Sequence, residues 1–365
     1  MQIHHIIQAL EHWAPLAYQE DYDNCGLLVG NKNTDCSGIL ISLDVTEDVL
    51  QEAIQKKCNL IVAHHPLIFK GIKKINGANQ VERIIVSAIK NDIAIYAIHT
   101  NLDNVIDGVN NSLAKKLGLQ KTAILQPKNG LLSKLYTFVP PSHKEAVLNG
   151  LFKAGAGHIG LYSECSFGVT GTGTFLPKEG TLPFSGIIGN RNIEAEEKIE
   201  VIFPSYLKNN LIQALLSSHP YEEVAYDIIE LKNNFQNVGS GLIGYLPETL
   251  EEKEFLTNLK RIVGTPAIRH SPLLGKKISK VALCGGAGVF LTGAALRAGA
   301  DIFITADVKY HDFFEPYGRL VLADIGHFES EQFTIDRILA FLSEKFPTFA
   351  VLKTEVKTNP VGYFF

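Results

Sequence analysis

Five side chains in this 365-residue chain have the types and spacing of a divalent-metal site: His64, His65, Asp103, His327 and Glu331. The apolar run Leu60 to Ala63 reads as a buried strand that stops at His64-His65-Pro66. Pro66 lacks an N–H and keeps His65 out of the helical region, so two imidazoles sit on a stiff turn. A second strand, Ile93 to Ile98, ends in His99-Thr100-Asn101-Leu102-Asp103, and a third, Arg319 to Ala323, leads through Asp324-Ile325-Gly326 to His327. Glu331 follows His327 by one helical turn, about 40° around the axis, so both can address one point. Open α/β sheets place their ligands at the carboxyl ends of strands, where all five residues fall. Nitrogen and oxygen donors without thiolate suit Zn²⁺ or Fe²⁺, and also Mn²⁺ or Co²⁺. Three imidazoles and two carboxylates are enough to hold two ions roughly 3.5–4 Å apart with positions open to water. Each residue alone also has a plain structural reading. The histidine pair can be a hydrogen-bonded turn, Asp103 an Asx turn or cap, and His327 a surface residue beside a glutamate in the first helical turn. Spacing leaves both readings open.

A second group follows the strand Asp301 to Thr305: Asp307, Lys309, His311 and Asp312, with His99 at the end of another strand. Carboxylates there can orient metal-bound histidines, and Lys309 or His311 can steady an anion or move a proton. A charged surface loop explains them equally well. Cys284-Gly285-Gly286-Ala287-Gly288 joins a strand to a helix and can present N–H groups to an anion, but it fits neither dinucleotide nor P-loop spacing, and a tight turn is the default. His219 and Glu222, in Ser218-His219-Pro220-Tyr221-Glu222-Glu223, read as a polar turn rather than a metal pair.

The elements that must hold these residues alternate. A helix over 3–18 is followed by a strand, Ile39 to Leu43, ending at Asp44. Thr46 caps a helix from Glu47 to about Lys57. The loop 70–79 is rich in glycine and lysine, residues 80–90 are helical, and 108–117 return to helical spacing. Continuous apolar strands between helices predict a largely parallel sheet. The pattern changes near Pro127. Strand 134–139, a helix capped by Ser142 and running to Ala154, the Gly/Thr segment 166–175, strand 198–203, helix 205–217 and strand 224–229 give the β-α-β-β-α-β order of a ferredoxin-like unit. From 238 the α/β character resumes, with a helix at 251–263, strands at 278–283 and 301–305, and one long helix from His327 to about Lys345. The expected organisation is therefore residues 1–126 and 238–365 as two parts of an α/β core, with 127–237 inserted.

Composition narrows the function classes. The 34 basic against 38 acidic residues give a net charge of −4, which speaks against a general nucleic-acid-binding surface. No apolar run reaches the roughly 20 residues of a membrane span, and Met1-Gln2-Ile3-His4-His5 is not a secretory signal. The five cysteines are scattered, with no C-x-x-C, as in a protein of the reducing cytoplasm.

His64-His65-Pro66, His99-Thr100-Asn101-Leu102-Asp103, Asp307-Val308-Lys309-Tyr310-His311-Asp312 and Gly326-His327-Phe328-Glu329-Ser330-Glu331 together resemble the Nif-three-like dinuclear metal-centre family, often labelled GTP cyclohydrolase I type 2 homologs. The resemblance covers 1–125 and 238–365, and the insert resembles the PII/CutA-like domain of the longer bacterial members. It implies metal ligation by His64, His65, Asp103, His327 and Glu331, two similar halves facing across a metal cleft, and a ring-like homohexamer. One departure is Ala306, where the family pattern leads one to expect glycine. The implied activity is metal-dependent hydrolysis of a nucleotide or another phosphate-containing small molecule. The other reading is a non-catalytic metal chaperone or regulatory metal-binding protein.

Overall fold

The computed structural model describes residues 1–364. Its strands, in chain order, are β1 (Gly26–Val29), β2 (Ile39–Ser42), β3 (Leu60–Ala63), β4 (Ala94–Ala97), β5 (Gln120–Lys128), β6 (Leu132–Val139), β7 (Ser166–Phe175), β8 (Asn192–Pro204), β9 (Tyr226–Leu231), β10 (Phe235–Glu251), β11 (Arg269–His270), β12 (Lys277–Leu283), β13 (Ile302–Thr305), β14 (Val321–Asp324) and β15 (Val351–Lys353). The chain divides into two compact units, one formed by 1–126 with 237 onward and the other by 127–236.

The first unit contains two sheets, ordered β1-β4-β3-β2-β15 and β11-β14-β13-β12-β10-β5. Strands β2, β3, β4, β13 and β14 are buried at every position, as in a parallel sheet covered on both faces by helices. Pairing is parallel through β15, β2, β3 and β4 and again through β12, β13 and β14. Antiparallel strands flank them: β1 on β4, β10 on β12, and β11 on β14. Thr46 caps the helix Glu47–Gln55 as expected, its hydroxyl accepting from the Val49 N–H at 3.2 Å.

The expected single helix from His327 is two. His327–Glu331 forms a short helix and Thr334–Lys345 a second. At the break the Gln332 amide donates to the Val263 and Glu329 carbonyls, at 2.7 and 3.2 Å, which holds the short helix as a separate turn. The short piece buries Glu329, Ser330 and Glu331, so it has no apolar stripe whose end could mark the break in the sequence.

The C-terminal strand β15 is held partly by Glu52, which is only 8% exposed. Its carboxylate accepts from Lys56 Nζ (2.8 Å), the Glu355 N–H (2.9 Å) and the Thr354 hydroxyl. Burial alone pushes the Glu52 carboxyl up, but the bonds from Lys56 and Thr354 outweigh it and hold it below its ordinary value. This stability is therefore present above the ordinary carboxylate range and is lost as pH falls below it. Glu52→Ala should lower stability by about 1–3 kcal/mol at neutral pH. The deficit in thermal unfolding should shrink toward pH 4; a pH-independent deficit would point to packing instead.

The second unit is a four-stranded antiparallel sheet ordered β7-β8-β6-β9. The helices Lys144–Lys153 and Lys208–Ser218 bury Val147, Leu148, Leu151, Leu211 and Leu215 against Leu135, Val139, Ile199, Val201 and Phe203 on one face. Ser142 does not cap the first of these helices. Pro141 opens a 3₁₀ turn, the Ser142 hydroxyl pairs with His143 Nδ1 at 3.0 Å, and the α-helix begins at Lys144.

Candidate metal centre

All five candidate ligands lie in the first unit and converge. His64 and His65 leave the carboxyl end of β3, and Asp103 ends the one-turn helix Thr100–Asp103 after β4. His327 and Glu331 begin and end the short helix after β14. Two groups of ligand atoms form, one from His65, His327 and Glu331 and one from His64, Asp103 and Glu331. Glu331 belongs to both and divides its oxygens between them. Oε2 lies 2.9 Å from His65 Nε2 and 3.1 Å from His327 Nε2, whereas Oε1 lies 3.8 Å from His64 Nε2.

Every ring is oriented from behind. His64 Nδ1 donates to the Ile98 carbonyl (2.9 Å), His65 Nδ1 to Asp44 Oδ1 (2.7 Å) and His327 Nδ1 to Asp307 Oδ2 (2.7 Å). With Nδ1 donating, each neutral ring turns the lone pair of Nε2 toward the common centre, the arrangement found in metal-ligating histidines. His64 Nε2 and Asp103 Oδ1 are buried without a hydrogen-bond partner among the described residues and lie 3.7 Å apart. A buried polar atom left unpaired is costly, and two such atoms facing each other across the span of a cation fit a divalent ion. The donor set is nitrogen and carboxylate oxygen, as for zinc or iron.

Charge supports the same reading. Burial raises Glu331, but hydrogen bonds from His327 and His65 and the nearby His64 hold it well below the carboxylate range. Burial raises Asp103, and the neighbouring His64 and His99 only partly offset it. Burial lowers His65, yet Asp44 and Glu331 lift it to about 10; burial likewise lowers His327, which Glu331 and Asp307 lift to about 9. Without a cation, the cluster satisfies its carboxylates by retaining protons on histidines.

Two carboxylates with structural duties here escaped the sequence reading. Asp44 fixes His65 and also accepts from the Thr358 hydroxyl at 2.6 Å. Asp23 accepts from His99 Nδ1 (2.8 Å), the Thr100 N–H (3.0 Å) and the Thr100 hydroxyl. Asp23 thereby caps the turn that delivers Asp103 and holds His99, which joins His64 and His65 in a third group of candidate ligand atoms. The strand-end rule applied to Asp103 reaches Asp44 as well; nothing local marks Asp23. Removing the carboxylate behind a ligating imidazole typically costs ten- to a hundredfold in metal affinity. Asp44→Ala should thus weaken metal retention by about that factor, read by competition with a chromophoric chelator.

The glycine turn after β12 makes room for the Glu331 carboxylate. Gly286 has φ +61°, and a Cβ there would stand 2.4 Å from Glu331 Oε1. Its three glycine N–H groups are taken internally: Gly285 donates to Asn110 Oδ1, Gly286 to the Ser330 hydroxyl and Gly288 to the Thr305 hydroxyl, each at 2.9 Å. The turn therefore serves the site by clearance rather than by holding an anion. Ala306 is fully buried and donates its N–H to the Gly286 carbonyl at 3.0 Å. Lys309 and His311 follow Asp307 by two and four residues and are both exposed, with the His311 ring against Tyr310 and Phe314. His219 lies outside this unit and has both nitrogens engaged, Nε2 donating to the Phe138 carbonyl and Nδ1 accepting from the Tyr221 N–H.

Comparison with known proteins gives this geometry a lineage. The Duf34/NIF3 (NGG1p interacting factor 3) family pattern matches residues 1–360, which includes all five candidate ligands. The chain belongs to this family. Among curated relatives, a GTP cyclohydrolase 1 type 2 homolog of Halalkalibacterium halodurans is 41% identical over 366 residues, 98% of both chains. One from Bacillus subtilis is 36% identical over 98% of this chain and 97% of its own. The crystal structure of a Bacillus cereus protein related to NIF3 superposes with a TM-score of 0.87 at 38% identity, covering 100% of this chain and 99% of that one. Among the described residues no helix is long and apolar enough to cross a membrane.

Proposed function

We propose that this NIF3-family chain binds two divalent metal ions through His64, His65, Asp103, His327 and Glu331 and hydrolyses a nucleotide or another phosphate-containing small molecule. The observation that carries the reading is the division of Glu331 between two ligand groups, one oxygen in each. Two such ions, when bound, lower the pKa of water and polarise the bond to be cleaved. The protein's own side chains do the rest. Asp44 and Asp307 keep His65 and His327 in the tautomer that faces the centre, and Gly286 leaves the space Glu331 occupies. His99, held by Asp23, is the nearest imidazole able to move a proton at the edge of the cluster, with ring centroids 5.2 and 5.4 Å from His64 and His65. Lys309 and His311, exposed beyond Asp307, are assigned to steadying an anionic group of the substrate. Lys70, Lys73 and Lys74, all exposed, line an open hollow of about 660 Å³ in the loop that follows His65-Pro66 and favour a phosphate-bearing substrate.

The shared names of the curated relatives support a cyclohydrolase-type activity, and a phosphoesterase would use the same centre. We assign the second unit to a ferredoxin-like fold of the PII/CutA type, on its strand order and its two helices on one face. The family resemblance likewise supports two similar halves and a homohexamer. The test is a screen of metal-loaded protein against nucleotides and phosphate esters, scoring phosphate release and purine ring opening. Turnover that disappears in Glu331→Gln supports the hydrolase. Stoichiometric, exchangeable metal with no turnover on any compound favours the chaperone instead.

A further inference from the structure

The second unit carries a cavity of about 550 Å³ that has no part in the metal centre. Its floor is the sheet face opposite the helices, where Phe138 on β6 and Val169 on β7 flank Lys198 on β8, with Gly171 beside Glu196 two residues along. The segment after β7 and the turn before β9 supply its walls, including the Phe184 and Tyr221 rings with centroids 5.8 Å apart. A volume of this size with mostly apolar walls and a few fixed polar groups is the usual form of a small-molecule site.

The charges in it that no opposite charge balances carry one sign. Glu196, on β8, accepts from the Tyr221 hydroxyl at 2.9 Å through Oε1. Its Oε2 has no partner among the described residues and reaches over β7, where a Cβ on Gly173 would stand 2.1 Å from it. Glycine at 173 is what lets the carboxylate lie there. Glu222, also in the lining, uses Oε2 to accept from the Leu182 N–H at 2.9 Å, and its other oxygen has no partner among the described residues. The one lysine in the lining, Lys198, does not balance them. Its amine is turned away, 2.9 Å from Glu200 Oε1 and 4.1 Å from the centre of the Tyr136 ring. Nearby Lys144 is paired with Glu197 at 2.7 Å, and His219, whose Nδ1 accepts from a backbone N–H, offers no charge.

We propose that this cavity is a binding site for a small organic cation, a primary or quaternary amine with an apolar body, whose charge lies between Glu196 and Glu222 and whose body packs on Phe138, Phe184 and Tyr221. Aromatic faces attract such cations beyond the carboxylate charge, and the attraction grows as the site excludes water. An anionic ligand would meet unbalanced carboxylates and gain nothing from the ring faces. The assignment does not rest on the hydrolase reading and survives its failure.

The test uses the full chain, metal-loaded, with phenethylammonium as probe and phenylacetate as its near-isosteric anion, both by titration calorimetry. Phenethylammonium should bind saturably and phenylacetate at least about tenfold more weakly, a difference set by charge alone. Glu196→Gln keeps an acceptor for Tyr221 and should cost the amine about tenfold while strengthening phenylacetate, which loses one repelling charge. Should that variant fail to fold, Phe184→Ala, in an exposed wall segment, should also weaken the amine. Equal binding of the two probes, or an amine affinity indifferent to the variants that fold, overturns the proposal. So does the absence of any binding, and light scattering would then show whether another copy of the chain covers the cavity.

Discussion

Glu331→Gln is expected to abolish metal retention at both positions, although only one atom changes. Wild-type protein purified without added metal should contain about two Zn or Fe per chain. The variant should contain well under one, with secondary structure retained by circular dichroism. The reason lies in the geometry. Glu331 presents one oxygen to His65 and His327 and the other toward His64, so both ligand groups lose charge at once. An amide keeps one acceptor oxygen but replaces the second with an NH₂, which points donor hydrogens at a site that needs donor lone pairs. A residue serving only one ion would leave the other bound. His65→Ala is the comparison, since His65 belongs to the group containing His327 but not to the one containing Asp103. It should cost about one ion and weaken the second, whereas equal and partial losses in both variants would contradict a bridging role for Glu331. Wild-type protein that neither contains metal nor takes it up on incubation would end the metal reading altogether.

The candidate ligands could be picked out because each lies at or within one helical turn or so beyond the end of a strand, and strand ends show in sequence as apolar runs stopped by a polar cluster. Leu60 to Ala63 before His64 and the run before His99 both read this way, and both are buried strands. What the sequence could not show was convergence. His64 and His327 are delivered by different sheets, and no local pattern states that β14 ends facing β3. The family resemblance supplied that link, not periodicity. Asp23 shows the limit most clearly: it lies in a polar turn 76 residues before its partner His99 and has no strand or helix to point it. The broken helix at Gln332 is a similar case. The side-chain amide beside the break bonds to Val263, which is 69 residues away, and the short helix buries Glu329, Ser330 and Glu331, so no apolar stripe marks where it ends. The glycine turn at 285–288 was visible, but its purpose depended on a carboxylate arriving from elsewhere.

Metal affinity should rise steeply with pH, and metal uptake should release protons. In the metal-free protein, burial disfavours the charged forms of His65 and His327, but Asp44, Glu331 and Asp307 outweigh it and hold the two rings at about 10 and about 9. Both therefore carry a proton at pH 7. Their raised values contribute stability to the metal-free fold that is complete below about 6.5, the ordinary histidine value, and declines as pH passes through 9 and 10. A cation needs the Nε2 lone pairs, so both protons must leave, and each contributes one unit of log K per pH unit below its own pKa. Between pH 6 and 8 the apparent affinity should thus climb by roughly two log units per pH unit, with about two protons released per chain. Titration calorimetry in two buffers of different ionisation enthalpy reads that number directly. In Asp44→Ala the His65 ring loses its strongest proton-holding bond, so fewer protons should be released even though affinity falls. An affinity flat across this range, with no buffer dependence, would mean that the histidines are already neutral and that the cluster is held together by something other than the charges described.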